Sequence, residues 1–460
     1  MKVLHVLANS PPDVNGYAIR TQKILSNQSN ELVGLTSPWY PNRESMIDDF
    51  EIDGVKYHRT IHPQWKKNPK ISHKLVKLFT RKPDISSQNA PVENEATKIL
   101  PLRIFDFFYF GIFKVGRAAR HFFRIGWKVV EEKILMKYFM KRIIEVAKQE
   151  KVDLIHAHTP YRVGLPALRA ARKLKLPFVY EMRGMWEETA VANGRWRPNG
   201  PAYRRFKNYE TKVLRSADSV VCISETLKRE AISRGASESK ITVVTNAVDE
   251  KMSTEGVSHE LFGQVKQQLA LEKSTKVVGY IGSLREMEGV DLTAEAVAQL
   301  SSKGHDVRFF VLSSESGQVE LRQHCKKLGL GEKAIIAGPV PHDSVAQFYD
   351  LIDIFVVSRP DSRVTRLVTP LKPFEAMMMK KAVIASKLPA LEEIIEHGKT
   401  GMLYKADDVN SLVETIEEIL ADEKAIVELG NNAHNWILGN RTWQSVVENY
   451  YQAYQTASKK

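Results

Sequence analysis

Residues 354 to 402 hold side chains that could bind an anion and a neutral hydroxyl together. Arg359, Arg363 and Arg366 fall in one loop, Lys372 lies between Pro370 and Pro373, and Glu375 follows. Guanidinium groups grip phosphate oxygens two at a time, while a carboxylate beside them can accept from sugar hydroxyls. Local patterning shows what would position them. Ile354-Phe-Val-Val-Ser358 is a short apolar run rich in β-branched residues and reads as a buried strand. Proline is favoured at the first helical position, so Pro373 predicts a helix start with Glu375 in its first turn. Lys381-Ala-Val-Ile-Ala-Ser386 predicts the next strand. A loop entering a helix offers unpaired backbone N–H groups and a partial positive charge, which suits an anion.

The order Val368-Thr-Pro-Leu-Lys-Pro-Phe-Glu-Ala-Met377, then Ala382–Ser386, Glu393-Ile394 and Gly398-Lys-Thr-Gly401 resembles a known donor-binding signature. It is that of the group 1, or family 4, retaining glycosyltransferases, in the subgroup reading V-T-P-L-K-P-x-E-A-M. The competing reading is a βαβ unit of some other doubly wound protein. The resemblance covers nearly the whole chain and is weakest over residues 61 to 150. It implies an α/β chain of the GT-B class, with two Rossmann-like doubly wound domains facing across a cleft. The donor would sit on the second domain and the acceptor on the first.

The resemblance also implies roles. Gly16, Gly282, Ser283, Arg285, Val340, Arg363, Thr369, Pro370, Leu371, Lys372 and Glu375 are expected to bind the donor. Asn15, Arg20, His158 and Arg183 are expected on the acceptor side. His158, Arg366 and Glu375 are the expected catalytic set. Two departures stand out. Ser283 and Glu288 occupy places where the family's common pattern has an arginine and a lysine, so this loop lacks both usual cations. Arg285 and the cations of the signature loop are expected to replace them. Leu367 stands eight residues before Glu375, where the paired-glutamate pattern has its first carboxylate.

The remaining motifs follow strands. Asp153-Leu-Ile-His-Ala-His158 should alternate faces, with His158 emerging at the strand's carboxyl end. Ser224 reads as a helix N-cap, and Asn246-Ala-Val-Asp249 as a structural hinge. No Asp-x-Asp triplet and no His/Cys run with metal spacing occurs, so neither metal nor cofactor is expected beyond the nucleotide sugar as co-substrate.

With 460 residues the chain is too long for one core. Strands and helices alternate throughout, which argues for parallel sheets covered on both faces. The expected domains are 1–248, with an insert at 61–150 and a returning helix at 440–460, and 270–435. Lysine and arginine exceed the acids to give a formal charge of +13. That excess favours anionic partners, but no nucleic-acid module is recognisable. Two cysteines, Cys222 and Cys325, fit a reducing compartment. With no apolar run long enough to span a bilayer, the expected location is cytoplasmic, peripheral on the inner face of the membrane. The oligomeric state is not legible.

Residues 99 to 142 carry ten Lys or Arg against three acids. Arg117, Arg120, Arg124 and Lys128 share one helical face, and Phe107-Phe-Tyr-Phe-Gly-Ile-Phe113 is too short to span. A helix lying in an anionic interface is expected over 101–142. Packing on the first domain, or binding of an anionic soluble acceptor, would also account for the pattern. For the whole chain the reading is sugar transfer to a glycan or lipid-linked acceptor with retention of configuration. The alternatives are a catalytically dead relative acting as a partner protein and a nucleotide-sugar epimerase.

Overall fold

The computed structural model describes residues 1–13, 16–40, 49–63, 117–250, 252, 260–269, 272 and 274–459, with the backbone alone over 117–127. Asn15 and residues 101–116 of the 101–142 stretch therefore lie outside the described residues.

Fourteen strands are described: β1 Lys2–Leu7, β2 Glu31–Thr36, β3 Phe50–Ile52, β4 Val55–His58, β5 Leu154–His158, β6 Phe178–Met182, β7 Ser219–Cys222, β8 Ile241–Val243, β9 Lys276–Ile281, β10 Val307–Leu312, β11 Ala334–Ala337, β12 Ile354–Val357, β13 Ala382–Ser386 and β14 Met402–Tyr404. They form an eight-stranded sheet, β3-β4-β2-β1-β5-β6-β7-β8, and a six-stranded sheet, β11-β10-β9-β12-β13-β14. In both, the chain's first strand lies inside the sheet and later strands are added on either side, which is the doubly wound plan expected from sequence. Strands buried on both faces read as continuous Val/Ile/Leu runs, and β12 and β13 are buried at every residue.

One strand departs from the parallel expectation. β3 pairs antiparallel with β4. Asp53 and Gly54, both at positive φ, close the two-residue hairpin between them.

The chain divides into two compact units: 1–181 with 212–220 and 454–460, and 182–211 with 221–453. These cut differently from the expected 1–248 and 270–435. Within the second unit, polar contacts tie Glu188, Thr226, Glu230 and Asn246 to the signature region. Arg363 pairs with Glu188 at 2.8 Å and Glu230 at 2.9 Å. Asn246 donates to the Thr369 carbonyl at 3.0 Å, and Glu393 accepts from the Thr226 amide at 2.6 Å. Ser224 caps its helix as expected, accepting from the Leu227 amide at 3.2 Å.

The Arg117–Gln149 helix is the longest described. No described helix is long and apolar enough to cross a membrane.

Candidate functional site

In the second unit the candidate site gathers at the carboxyl ends of β9, β11 and β12, where ligands of open α/β sheets bind. Pro373 sits in the first turn of the Lys372–Met378 helix, as predicted, and Glu375 projects from that turn. Its Oε2 accepts from the Tyr349 hydroxyl at 2.9 Å and from Lys372 Nζ at 3.1 Å. Among the described residues its other oxygen has no hydrogen-bond partner, and the side chain keeps 19% of its surface exposed. A carboxylate so held can accept from one more donor.

The loop after β9 approaches its own strand closely. A Cβ on Gly282 would come within 2.6 Å of the Tyr280 hydroxyl, and one on Gly289, at φ +64°, within 2.0 Å of the Ser358 carbonyl. Only glycine fits either place. Tyr280 donates to the Ser283 carbonyl at 3.3 Å. Its phenol is pushed well above its ordinary pKa by burial and by Glu288, with Arg359, Glu375 and Arg285 also acting on it. Tyr349 is likewise raised, by burial and then by Glu375.

The expected cations divide. Arg359 is buried, pairing with Glu288 at 3.2 Å and donating to the Val368 carbonyl at 2.9 Å. Arg363 spans Glu188 and Glu230. Arg366 lies exposed on Asp361 at 2.7 Å. Each is already matched to a carboxylate, so each contributes little net charge to a diphosphate. Arg285 stays exposed beside the glycine loop, and Lys372 half-buried beside Glu375. Thr369 is buried and Pro370 and Leu371 half-buried in the turn before the helix. Val340, after β11, packs against the core through its side chain.

In the first unit His158 does end β5, but it is wholly buried. Its Nε2 lies 2.9 Å from His5 Nδ1, and its Nδ1 3.3 Å from Glu181 Oε2. His156 faces the same carboxylate oxygen at 3.3 Å and the Tyr454 hydroxyl at 3.1 Å. Tyr454 closes the ring on His5 at 3.3 Å. Arg20 holds the other oxygen of Glu181 at 3.2 Å. Nitrogens of the three imidazoles lie within 4.8 Å of one another. However, His156 and His158 stack at 4.5 Å with planes 19° apart, so their in-plane lone pairs run side by side rather than converge. Gly16 opens the Gly16–Asn27 helix, and Arg183 is buried just after β6.

Sequence reasoning missed Tyr280, Tyr349 and Glu181. Only Glu181 left a signal: a carboxylate inside the strand Phe178-Val-Tyr-Glu-Met182 must find partners if the strand is buried.

Residues 262–436 match the family described as "Glycosyl transferases group 1", and residues 75–251 match "Glycosyltransferase Family 4". Together the two matches span most of the chain, and each half is similar to these glycosyltransferase families. It is 24% identical over 332 residues to the capsular polysaccharide biosynthesis glycosyltransferase CapM of Staphylococcus aureus, covering 70% of this chain and 82% of that one. An N-acetyl-alpha-D-glucosaminyl L-malate synthase of Bacillus anthracis is 20% identical over 316 residues, 68% of this chain and 77% of that one. Among solved structures, the sucrose-phosphate synthase of Thermosynechococcus elongatus superposes with TM-score 0.65 at 17% identity, over 99% of this chain and 98% of that one. Anabaena HepE, solved in complex with UDP, gives 0.65 at 16% identity over 99% and 100%. The fold is therefore GT-B, with two Rossmann-like domains, and the family matches and relatives support a glycosyltransferase that acts on a sugar-nucleotide donor.

Proposed function

We propose that this glycosyltransferase moves a hexosyl group from a UDP-linked donor to a hydroxyl of a glycan or lipid-linked acceptor, with retention of configuration. One observation carries the reading: Glu375 is fixed through one oxygen by Tyr349 and Lys372 and keeps the other for a donor. A ribose hydroxyl supplies such a donor. The choice of UDP rests on HepE, a protein of the same fold solved with UDP and with UDP-glucose.

Arg285 and Lys372 face the diphosphate in this reading, in place of Arg363 and Arg366, whose charges are matched. In the transfer step the acceptor oxygen bonds to the anomeric carbon as the bond from that carbon to the diphosphate oxygen breaks. The departing oxygen takes the acceptor's proton on the same face, so the chain itself supplies no nucleophile. Preorganised positive charge around that oxygen is the principal catalytic term. His158, fixed by His5 and Glu181, serves the acceptor side as a positioning group.

A lipid-linked acceptor also gives the basic face a purpose. Lys133, Lys137, Lys141 and Lys148 share one face of the Arg117–Gln149 helix with Val130, 45% exposed, and Ile134, 39% exposed. Met140 borders that face and joins Leu165 and Leu168 in the floor of a hollow of about 440 Å³, rimmed by Arg169, Lys173 and Lys212. Apolar floor and cationic rim suit an anionic bilayer surface. Sedimentation with anionic vesicles at low salt tests this, and is expected to fail for the Lys133→Glu, Lys137→Glu, Lys141→Glu triple variant.

Calorimetric titration with UDP tests the donor reading. Binding is expected, and its absence would favour a catalytically dead partner protein. Conversion of the donor without acceptor would favour an epimerase. His158→Ala should lower transfer about tenfold, the worth of one hydrogen bond, while UDP binding stays at its original strength. Equal loss of both would make His158 a folding residue.

A further inference from the structure

Three aromatic rings run beneath the candidate donor site, and the two outer ones carry its hydroxyls. Tyr280 stacks on Phe355 with centroids 5.8 Å apart, and Phe355 packs on Tyr349 at 5.7 Å. All three are buried, with Tyr280 the most exposed at 2%. One end of the column donates to the Ser283 carbonyl in the glycine loop at 3.3 Å. The other end donates to Glu375 Oε2 at 2.9 Å.

A buried phenol needs a hydrogen-bond partner, and these two find theirs on the two separate elements that would meet the ends of a nucleoside diphosphate. Tyr280 cannot move without displacing Gly282, whose hydrogen lies where a Cβ would come within 2.6 Å of the phenol oxygen. Tyr349 cannot rotate away from Glu375 without opening the core. The column thus sets the distance between the ribose acceptor and the phosphate loop.

We propose that Tyr349 and Tyr280 are positioning residues for the donor: Tyr349 orients Glu375 so that its Oε1 meets the ribose, and Tyr280 holds the Gly282–Ser283 turn against the diphosphate. The inference rests on the donor reading above and deepens it. Neither tyrosine touches the reacting atoms. Their two effects fall on different parts of the ligand, which makes them separable.

Phenylalanine keeps both rings and removes only the hydroxyls. The probes are UDP, UMP and uridine, titrated calorimetrically against the full chain. Tyr349→Phe should weaken all three by a similar factor, about three- to tenfold, because all contain the ribose. Tyr280→Phe should weaken UDP by a comparable factor and leave uridine unchanged. A merely structural loss would weaken the three probes alike in both variants. In a Glu375→Gln background, Tyr349→Phe should add less than about twofold, since both changes act through one oxygen. If Tyr349→Phe alone proves poorly folded, Tyr280→Phe still decides: equal weakening of UDP and uridine by that variant would overturn the proposal. If the unaltered protein binds UDP and Tyr349→Phe binds all three probes with undiminished affinity, the inference falls and the donor reading stands. If the unaltered protein binds none of them, the donor reading itself falls.

Discussion

Glu181 and Glu375 are both carboxylates at the carboxyl ends of parallel sheets, and their surroundings are opposite. Glu181 is wholly buried and spends both oxygens inside the protein, one on Arg20 and one between His156 and His158. Glu375 is part-exposed and spends one oxygen, on Tyr349 and Lys372. A buried charge must be matched in full or it costs several kcal/mol. A charge at a ligand site must be matched only in part, because the ligand completes it. The count of satisfied oxygens therefore separates a carboxylate that holds the fold from one that awaits a partner. The cations divide in the same way: Arg359 and Arg363 are matched to Glu288, Glu188 and Glu230, whereas Arg285 is exposed beside the loop.

Removing each carboxylate should break the comparison at opposite ends. Glu181→Ala removes the buried carboxylate that Arg20, itself 3% exposed, holds at 3.2 Å. Stability should fall by about 3–5 kcal/mol, measured as a lower urea midpoint, with UDP affinity unchanged in the fraction that stays folded. A small loss of stability together with lost UDP binding would show that the ring belongs to the ligand site.

Glu375→Gln should behave in reverse. The urea midpoint should hardly move, because the side chain is part-exposed and Tyr349 can still donate to an amide oxygen. Affinity for UDP should fall by about 1.5–3 kcal/mol, the range for a hydrogen bond to a charged group. Unchanged UDP affinity would remove Glu375 from the donor site.

Much of this arrangement was legible in the sequence. The strands β12 and β13 lie where apolar runs placed them, because a strand buried on both faces announces itself by composition alone. Pro373 announced the helix that carries Glu375. The hairpin partner β3 was not legible. Phe50-Glu-Ile52 is three residues long, too short for any period to register. The phenols were hidden for a different reason. Tyr349 and Tyr280 occupy apolar stretches where a tyrosine reads as bulk, and the hydroxyl becomes informative only when its partner is known. The cations failed similarly: three arginines in one loop look like an anion site until Glu188, Glu230, Glu288 and Asp361 meet them from elsewhere in the chain. Charge counted along a sequence is gross charge, and a ligand responds to what remains after pairing.

Glu150 offers the mildest test of the same rule. It lies just past the Arg117–Gln149 helix and is saturated like Glu181: its Oε1 meets Lys56 at 2.7 Å and His58 at 2.8 Å, and its Oε2 meets Lys2 at 3.1 Å. Burial pushes its pKa up, but the hydrogen bonds from Lys56, Lys2 and His58 outweigh it and bring the group down to about 2. A carboxylate whose folded pKa is depressed contributes stability that is fully present above its unfolded pKa, roughly 4.3. That contribution is lost as pH falls through the folded value. Lys56 keeps 47% of its side chain exposed, so solvent screening reduces the effect to about 2 kcal/mol. The unaltered protein should therefore lose stability between pH 4.5 and 2 more steeply than Glu150→Gln, and the two curves should converge toward pH 2. Urea midpoints taken at half-unit steps would measure the gap. Parallel curves would mean that the lysines follow Glu150 as surface ions do, and that matching every oxygen counts for stability only where, as at Glu181, the whole cluster is closed to water.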